Sequence, residues 1–229
     1  MEEAVIIAVF FALMISLTEY VSKMLNLKRK SYYNNIISFT AGVSITYILL
    51  EFLPVFAERA FSVNKALFLA LLVGFISHHV VEKEIYQHNK RHELIKKLSL
   101  EENIFYYIYH MILGIVLVAL MQRNIPEGIF FVTSIFAFTI ASNLPASPHK
   151  SKWRMLVLST STVTGAIIAS IIGMQIPNWL EVSLIGLVAG VLLFTVTRHH
   201  IPYRRKGNIA FFVLGFFIYG MLIAIKWLI

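Results

Sequence analysis

Glu51 and His110 are ionisable side chains inside long apolar stretches of this sequence, and they could do chemistry there. Glu51 lies one turn before Pro54, and His110 follows a group of tyrosines. Carboxylate oxygen and imidazole nitrogen are both ligands for a divalent cation. Ionisable groups inside a membrane span are costly and usually face the interior of a helix bundle. Glu51 can equally be read as a carboxylate at a span end, and His110 as a hydrogen-bonded interior histidine.

Catalytic chemistry finds little support in the residues. The chain has no cysteine, which excludes disulfides, thiolate metal sites and a cysteine nucleophile. The nearest approach to a nucleophile with its base is Ser142 with His110, and no acid is placed to orient the histidine. We therefore expect neither enzymatic activity nor a bound cofactor.

The elements that position these residues are predicted to be membrane helices. The chain of 229 residues is 58% hydrophobic and only 14% charged, with a mean hydropathy of +0.75. An average protein carries roughly a quarter charged residues. The apolar residues gather into runs of about twenty, the length that spans a hydrocarbon core as a helix. The net charge of +8 is explained by basic loops between the runs, so we expect the lipid bilayer as partner and no nucleic acid.

Eight such runs predict an all-α membrane protein in which residues 1–229 form a single transmembrane domain. Each run is long enough to cross the bilayer at about 1.5 Å per residue. The predicted spans are Ala4–Ser22, Asn34–Phe56, Ala66–Ile85, Ile104–Met121, Gly128–Ser147, Met155–Met174, Val182–Ile201 and Asn208–Ile229.

The basic residues predict the orientation of the chain. Lysine and arginine are retained on the cytosolic side of a membrane. Sixteen of the 20 fall in the odd-numbered loops, so these loops are predicted inside and both termini outside. The sixteen are Lys23, Lys28, Arg29, Lys30, Lys83, Lys90, Arg91, Lys96, Lys97, Lys150, Lys152, Arg154, Arg198, Arg204, Arg205 and Lys206.

Spans two and seven share a pattern that predicts an internal repeat. Ala41-Gly42-Val43 precedes Pro54 just as Ala189-Gly190-Val191 precedes Pro202, each at an offset of 148 residues. Gly74-Phe and Gly215-Phe of spans three and eight match at an offset of 141. Because spans two and seven run in opposite directions, spans one to three and six to eight are predicted to form an inverted repeat around spans four and five. Inverted repeats are typical of transporters.

The whole chain resembles the ZIP family of divalent-metal permeases. The 3+2+3 inverted-repeat arrangement, the outer termini and a histidine-bearing cytosolic loop after span three carry the resemblance. Span two, with Ala41-Gly42 and Leu-Glu51-Phe-Leu-Pro54, is similar to the family's Ala-Gly…His-Leu-Leu-Pro-Glu segment. The resemblance implies transport of Zn²⁺ or another divalent cation, a homodimer, and a cytosolic metal site at His88 and His92.

The resemblance also indicates where the transport site falls and how it departs from the family pattern. Family members carry His-Asn-x-x-Asp in span four and His-Glu-x-Pro-x-Glu in span five. Here span four keeps only His110 and a glycine, and span five reads Ser142-Asn143-Leu-Pro-Ala. Arg198 takes the acidic position of span seven. By this resemblance His110, Glu51, Asn143 and Ser142 are the candidate ligands of a weakened or altered pathway site.

Span depth separates some of these candidates. Glu51 is predicted near the outer end of span two, whereas His110 lies roughly two turns above the inner end of span four. We therefore expect them outside one another's coordination shell. Glu19 is expected to pair with Lys23, four residues on, at the inner interface. The glycines and the Ser/Thr-rich span six are expected to serve close helix packing.

These features favour a multi-pass permease of the cell membrane, with other functions left open. The missing carboxylates and Arg198 also fit a relative that kept the fold and acts as a non-transporting membrane subunit or sensor. The Ser/Thr-rich span six and the basic residues would tolerate an uncharged or anionic substrate.

Overall fold

The computed structural model describes residues 2–24, 32–88, 91–143, 152–172, 176–197 and 207–228, and within these ranges the chain is helical without any strand. The all-α fold is therefore as predicted. The α-helices in these ranges are α1 (Glu2–Met24), α2 (Tyr33–Tyr47), α3 (Leu53–Val63), α4 (Phe68–His88), α5 (Arg91–Arg123), α6 (Ile125–Asn143), α7 (Lys152–Ser159), α8 (Ser161–Ile172), α9 (Asn178–Thr195) and α10 (Ile209–Leu228).

Six helical stretches are long and apolar enough to cross a membrane. They coincide with six of the eight predicted spans. The predicted third and fifth spans contain shorter apolar helices within the described ranges, Lys65–Ser77 and Ile125–Thr139. The chain therefore has the helices of a multi-pass membrane protein.

Helix α1 shows how the outer surface differs from the core. Its large apolar side chains lie on one exposed stripe and its alanines on a buried one. An apolar surface of this size would be a liability in water but suits contact with lipid. The exposed stripe is Ile6, Phe10, Leu13, Leu17 and Val21, and the buried stripe begins with Ala4, Ala8 and Ala12.

Three helix pairs, α2 with α10, α4 with α9, and α5 with α8, make the most extensive contacts of the fold. In each pair, one glycine from each helix lies directly against the backbone of the other helix. Helices without a hydrophobic drive to associate pack through such small residues. The expectation of close glycine packing is therefore confirmed for Gly42 with Gly215, Gly74 with Gly190, and Gly114 with Gly165.

Helices α2 and α3 form one continuous rod with a π-helical segment, Ile48–Phe52, between them. Pro54 follows this segment. Proline has no N–H for the carbonyl four residues earlier, and its ring clashes with that carbonyl, so a wider turn relieves the conflict. The segment brings Glu51 into the bundle, where the residue is only 5% exposed. The Glu51 side chain is therefore buried within the bundle.

The predicted sixth span is interrupted at Thr160, between α7 and α8. Ser159 donates a hydrogen bond to the carbonyl of Met155, and Ser161 donates one to the carbonyl of Leu158. Hydroxyls that return to the preceding turn compete with the helix ladder and bend it. The bend lies beside Thr162, whose side chain is fully buried against α5.

Replacing Gly165 with alanine should destabilise the protein, because the new Cβ would lie 1.8 Å from the carbonyl oxygen of Met111. Overpacking of this kind costs about 1–3 kcal/mol. Gly220→Ala is the matched control, since the nearest atom to its Cβ, Thr46 Cγ2, is 3.7 Å away. The thermal midpoint in detergent should fall for Gly165→Ala and stay unchanged for the control. Equal midpoints would contradict the packing described here.

Candidate functional site

The buried stripe of α1 ends in a carboxylate. Ala8, Ala12 and Ile15 are buried where α1 packs on α5, α6 and α8, and Glu19 continues the stripe with no exposed surface. Small side chains at four-residue spacing let neighbouring helices approach closely. Glu19 is consequently buried within the bundle. Its predicted pairing with Lys23 stays a prediction, because the side chain of Lys23 lies outside the described residues.

His110 of α5 meets this carboxylate. Its ring is only 1% exposed, and its Nδ1 lies 2.5 Å from Glu19 Oε1. The same nitrogen lies 3.4 Å from Thr162 Oγ1 on α8. Three different helices therefore converge on one imidazole.

Tyrosines of α5 hold the His110 ring in place. Tyr106, one turn earlier, stacks on it with a centroid distance of 4.1 Å, and Tyr109 meets it edge-on at 5.3 Å. Tyr109 in turn contacts Phe138 of α6 at 6.2 Å. The polar contact is therefore walled by aromatic rings and shielded from solvent.

Placing Glu19 and His110 in this environment is costly. An ionised carboxylate in a low-dielectric interior loses several kcal/mol of solvation, and pairing recovers only part of it. Ionisable groups are rare inside membrane helices and, where present, usually mark ion or proton pathways. The Glu19–His110 contact is therefore the strongest candidate site in the described part of the chain.

Some buried hydroxyls lack a hydrogen-bond partner among the described residues. Ser16 Oγ lies one turn from Glu19 on the same buried stripe, and the hydroxyl of Tyr109 neighbours His110 in sequence. Ser44 Oγ of α2 is also buried without a hydrogen-bond partner among the described residues. Buried polar groups are nearly always satisfied by protein or by water. These hydroxyls are thus available to water or to a passing polar species.

A second ionisable cluster lies toward the other end of the bundle. Glu51 forms an ion pair with Lys226 of α10, whose ammonium also lies 5.2 Å from the centroid of the Phe130 ring. A cleft of about 450 Å³ opens beside this pair, and Glu58 and Glu127 contribute to its lining. The cleft therefore presents several carboxylates at its wall with Lys226 among them.

Arg59 links the helices beside the cleft. Its guanidinium contacts Glu127 of α6 at 2.6 Å and Glu181 of α9 at 3.3 Å. Arg123 of α5 contacts Glu181 at 3.5 Å but is much more exposed. The Arg59 side chain is 12% exposed, so both of its partners are largely shielded from water. This network joins α3, α5, α6 and α9 at one end of the bundle.

The residues predicted as pathway ligands separate in the structure. His110 lies with Glu19, whereas Glu51 lies with Lys226 in the other cluster. Ser142 and Asn143 form the end of α6, and their side chains lie outside the described residues.

The predicted cytosolic metal site is described only in part. His88 is exposed at the end of α4, where its Nδ1 lies 2.9 Å from Glu84 Oε1. His92 lies in the first turn of α5, and its side chain is outside the part of the chain that the structure describes. Nowhere among the described residues do three His, Cys, Asp or Glu side chains converge closely enough to hold a metal ion.

Comparison with known proteins adds no family assignment. No family model matches the sequence, and no curated protein matches it. The resemblance to ZIP permeases stays a prediction from the sequence.

Sequence reasoning missed Glu19, Thr162 and Lys226 as members of these clusters. A signal for Glu19 was present, because alanines at positions 4, 8 and 12 mark the face of α1 that it shares. Thr162 belongs to the Ser/Thr-rich stretch of span six, and Lys226 is a charged residue inside the predicted last span, but neither position indicated its partner. Each acquires its partner from a helix more than fifty residues away in sequence.

We expect Glu19 and His110 to be energetically coupled. Breaking a buried pair from one side strands the other group and costs about 3–5 kcal/mol. Glu19→Leu and His110→Leu should each lower the unfolding free energy by about this amount, and the double variant by clearly less than their sum. A double-mutant cycle by denaturant unfolding in micelles measures the coupling. Additivity within about 0.5 kcal/mol would show that the contact carries no energy.

Arg59 should matter more to stability than Arg123. Arg59→Met leaves Glu127 without its closest cation in a shielded environment, for which about 3–5 kcal/mol is expected. Arg123→Met removes a contact at a side chain that is 46% exposed, where an ion pair contributes about 0–1 kcal/mol. Unfolding midpoints of the two variants, measured side by side, check the order. A larger loss at Arg123 would refute it.

Proposed function

We propose that this protein is a ZIP-like permease of the cell membrane that moves a divalent cation, Zn²⁺ or a chemically similar ion, through a site built on Glu19 and His110. The observation that carries the proposal is the contact between a fully buried carboxylate and a fully buried imidazole inside an apolar helix bundle. Ionisable groups buried inside membrane helices are costly and usually mark ion or proton pathways, which favours this reading of the pair.

We further propose eight membrane crossings with both termini outside. The two helices whose described apolar stretches fall short of the span length are not peripheral: α4 makes its main contacts with α9, and α6 packs on α1, α2 and α5. The loop basicity supports the orientation, because basic segments repeatedly follow the odd-numbered spans.

The proposed inverted repeat gains support from the way the helices pair. The sequence offsets equate Gly42 of α2 with Gly190 of α9, and Gly74 of α4 with Gly215 of α10. The structure pairs α2 with α10 and α4 with α9 through these four glycines. Exchanging the two halves therefore converts one glycine contact into the other, as a two-fold repeat requires.

The backbone irregularity of span two recurs at the equivalent position of span seven. The π-helical segment begins at Ile48, and π-helical geometry also occurs at Val196, 148 residues later. Pro54 and Pro202 follow at the same offset. Two helices that share a π-helical distortion at matching positions favour a common ancestor for the two halves.

The donor set fits weak binding of a divalent cation. Glu19, His110 and Thr162 supply one carboxylate, one imidazole and one hydroxyl, whereas Zn²⁺ usually takes four ligands. The remaining positions would be filled by water. Permeation requires binding strong enough to admit an ion and weak enough to release it. An incomplete site is therefore compatible with transport and incompatible with tight storage.

The proposal is tested by Zn²⁺ uptake into vesicles that contain the purified chain and a trapped fluorescent indicator. The native protein should give saturable uptake, and Glu19→Gln and His110→Ala should each reduce it at least about tenfold, since each removes a main donor. Glu3→Gln, at an exposed position of α1, is the matched control and should transport normally. Absence of flux from the native chain would refute transport of this ion.

A non-transporting membrane subunit is the second candidate function. It is favoured by the lack, within the described ranges, of any three convergent His, Cys, Asp or Glu side chains. Under this alternative the Glu19–His110 pair would fix the register of α1 against α5. Purification from native membranes distinguishes the two: a stoichiometric second protein would favour the subunit, whereas a lone chain that takes up Zn²⁺ would exclude it.

A further inference from the structure

Helix α6 provides a scale for the depth of the two ionisable clusters. Glu127 lies in the wall of the cleft, Phe131 is four residues deeper, and Phe138 is at the level of Tyr109 beside His110. At 1.5 Å per residue, the cleft wall and the His110 level are about 16 Å apart along the helix. The Glu51–Lys226 cluster and the Glu19–His110 site are therefore stacked at different depths.

Aromatic side chains occupy the level just below the cleft. Phe52 stacks on Tyr47 at 5.5 Å and contacts Phe131 at 5.4 Å. Tyr219 of α10 meets Tyr47 at 6.3 Å, so rings from three rods meet at one level. We call Tyr47, Phe52, Phe131 and Tyr219 the aromatic plug. Tyr47, Phe52 and Phe131 are each at most 1% exposed, so these rings pack against one another without contact with solvent.

Unpartnered hydroxyls lie on the deeper side of the plug. Ser44 lies one turn below Tyr47 on α2, and Ser16 lies one turn from Glu19 on the side of the cleft. A helix bundle that needed only to pack would bury apolar groups here, because a buried hydroxyl without a hydrogen bond is destabilising. Their presence between the plug and the Glu19–His110 site fits a route that is hydrated when open.

One ring of the aromatic plug belongs to the π-helical segment, where the helical backbone is irregular. Phe52 is the last residue of the π-helical segment, directly after Glu51, which holds Lys226. Wide turns of this kind disrupt the regular hydrogen-bond ladder and occur at functional sites and kinks. A change at the Glu51–Lys226 pair therefore reaches Phe52 through one peptide bond.

We infer that the aromatic plug is the closed outer gate of a route that leads from the Glu51 cleft to the Glu19–His110 site, with the π-helical segment as its hinge. The inference rests on the proposed function for the identity of the permeating species, which is a hydrated cation. The gate controls access: water-soluble reagents reach Ser16 and Ser44 from the cleft side only when the rings of the aromatic plug separate.

The absence of native cysteine permits a direct measurement. Ser16→Cys and Ser44→Cys are made separately in the full chain, and a membrane-impermeant thiol reagent is applied to the outside of cells that express it. Each cysteine should react slowly behind the intact plug. Adding Phe131→Leu should raise the reaction rate about tenfold, because loss of the ring contacts with Tyr47 and Phe52 shifts a two-state gate toward its open state.

Two matched controls keep the measurement specific. Phe56→Leu alters an equally buried ring that packs on Phe68 outside the plug, so it should leave the rates unchanged. Ala166→Cys, buried between α8 and α5, should stay unlabelled in every variant and would reveal general unfolding. Phe52→Leu is the second gate variant, for use if Phe131→Leu fails to fold.

Faster labelling in the gate variants alone would support the inference. Equal rates in gate and control variants, or fast labelling behind the intact plug, would overturn it. The result is independent of uptake: a native chain that moves no Zn²⁺ but shows gated labelling would refute the proposed cargo and leave the gate standing. Normal Zn²⁺ uptake together with equal labelling rates in gate and control variants would support the proposed cargo and refute the gate.

Discussion

The structure depends on keeping one carboxylate, that of Glu19, inside an apolar helix bundle. Its solvation is replaced by His110, which three helices and two tyrosine rings hold in position. A group with this cost requires the surrounding helices to approach closely and in a fixed register. The glycine contacts supply that approach, since α5 and α8 meet backbone to backbone one turn beyond His110. The burial of Glu19 and the close packing of the helices around it therefore depend on each other.

Polar and aromatic layers alternate along the bundle. Ion pairs of Arg59 and Lys226 join the helices at one end, aromatic rings fill the next level, and the Glu19–His110 contact lies deeper. Each layer uses the side chains that its dielectric favours: salt bridges near water, rings in the dry middle, and one closely paired acid and imidazole where an ion would be held. This order fits the gated route for a cation that is proposed above.

The fold was largely predictable from the sequence, whereas the site was predictable only in part. Apolar runs predicted where helices form, and Gly42 and Gly215 were correctly expected at close contacts. His110 was chosen as a candidate, and the structure buries it against Glu19, a contact that was not anticipated. Glu19 was paired with Lys23 because the two residues are four apart on one helix, whereas the alanine stripe, which marks the buried face, was not used.

The sequence by itself determined helix type, helix length and the distribution of charge, because these follow from local composition and from spacing along one helix. Only the tertiary structure decided which polar groups meet. Thr162 reaches His110, and Lys226 reaches Glu51, across separations that no periodicity encodes. Such contacts depend on how whole helices pack, and in an apolar bundle the packing is set by small residues on two facing helices at once.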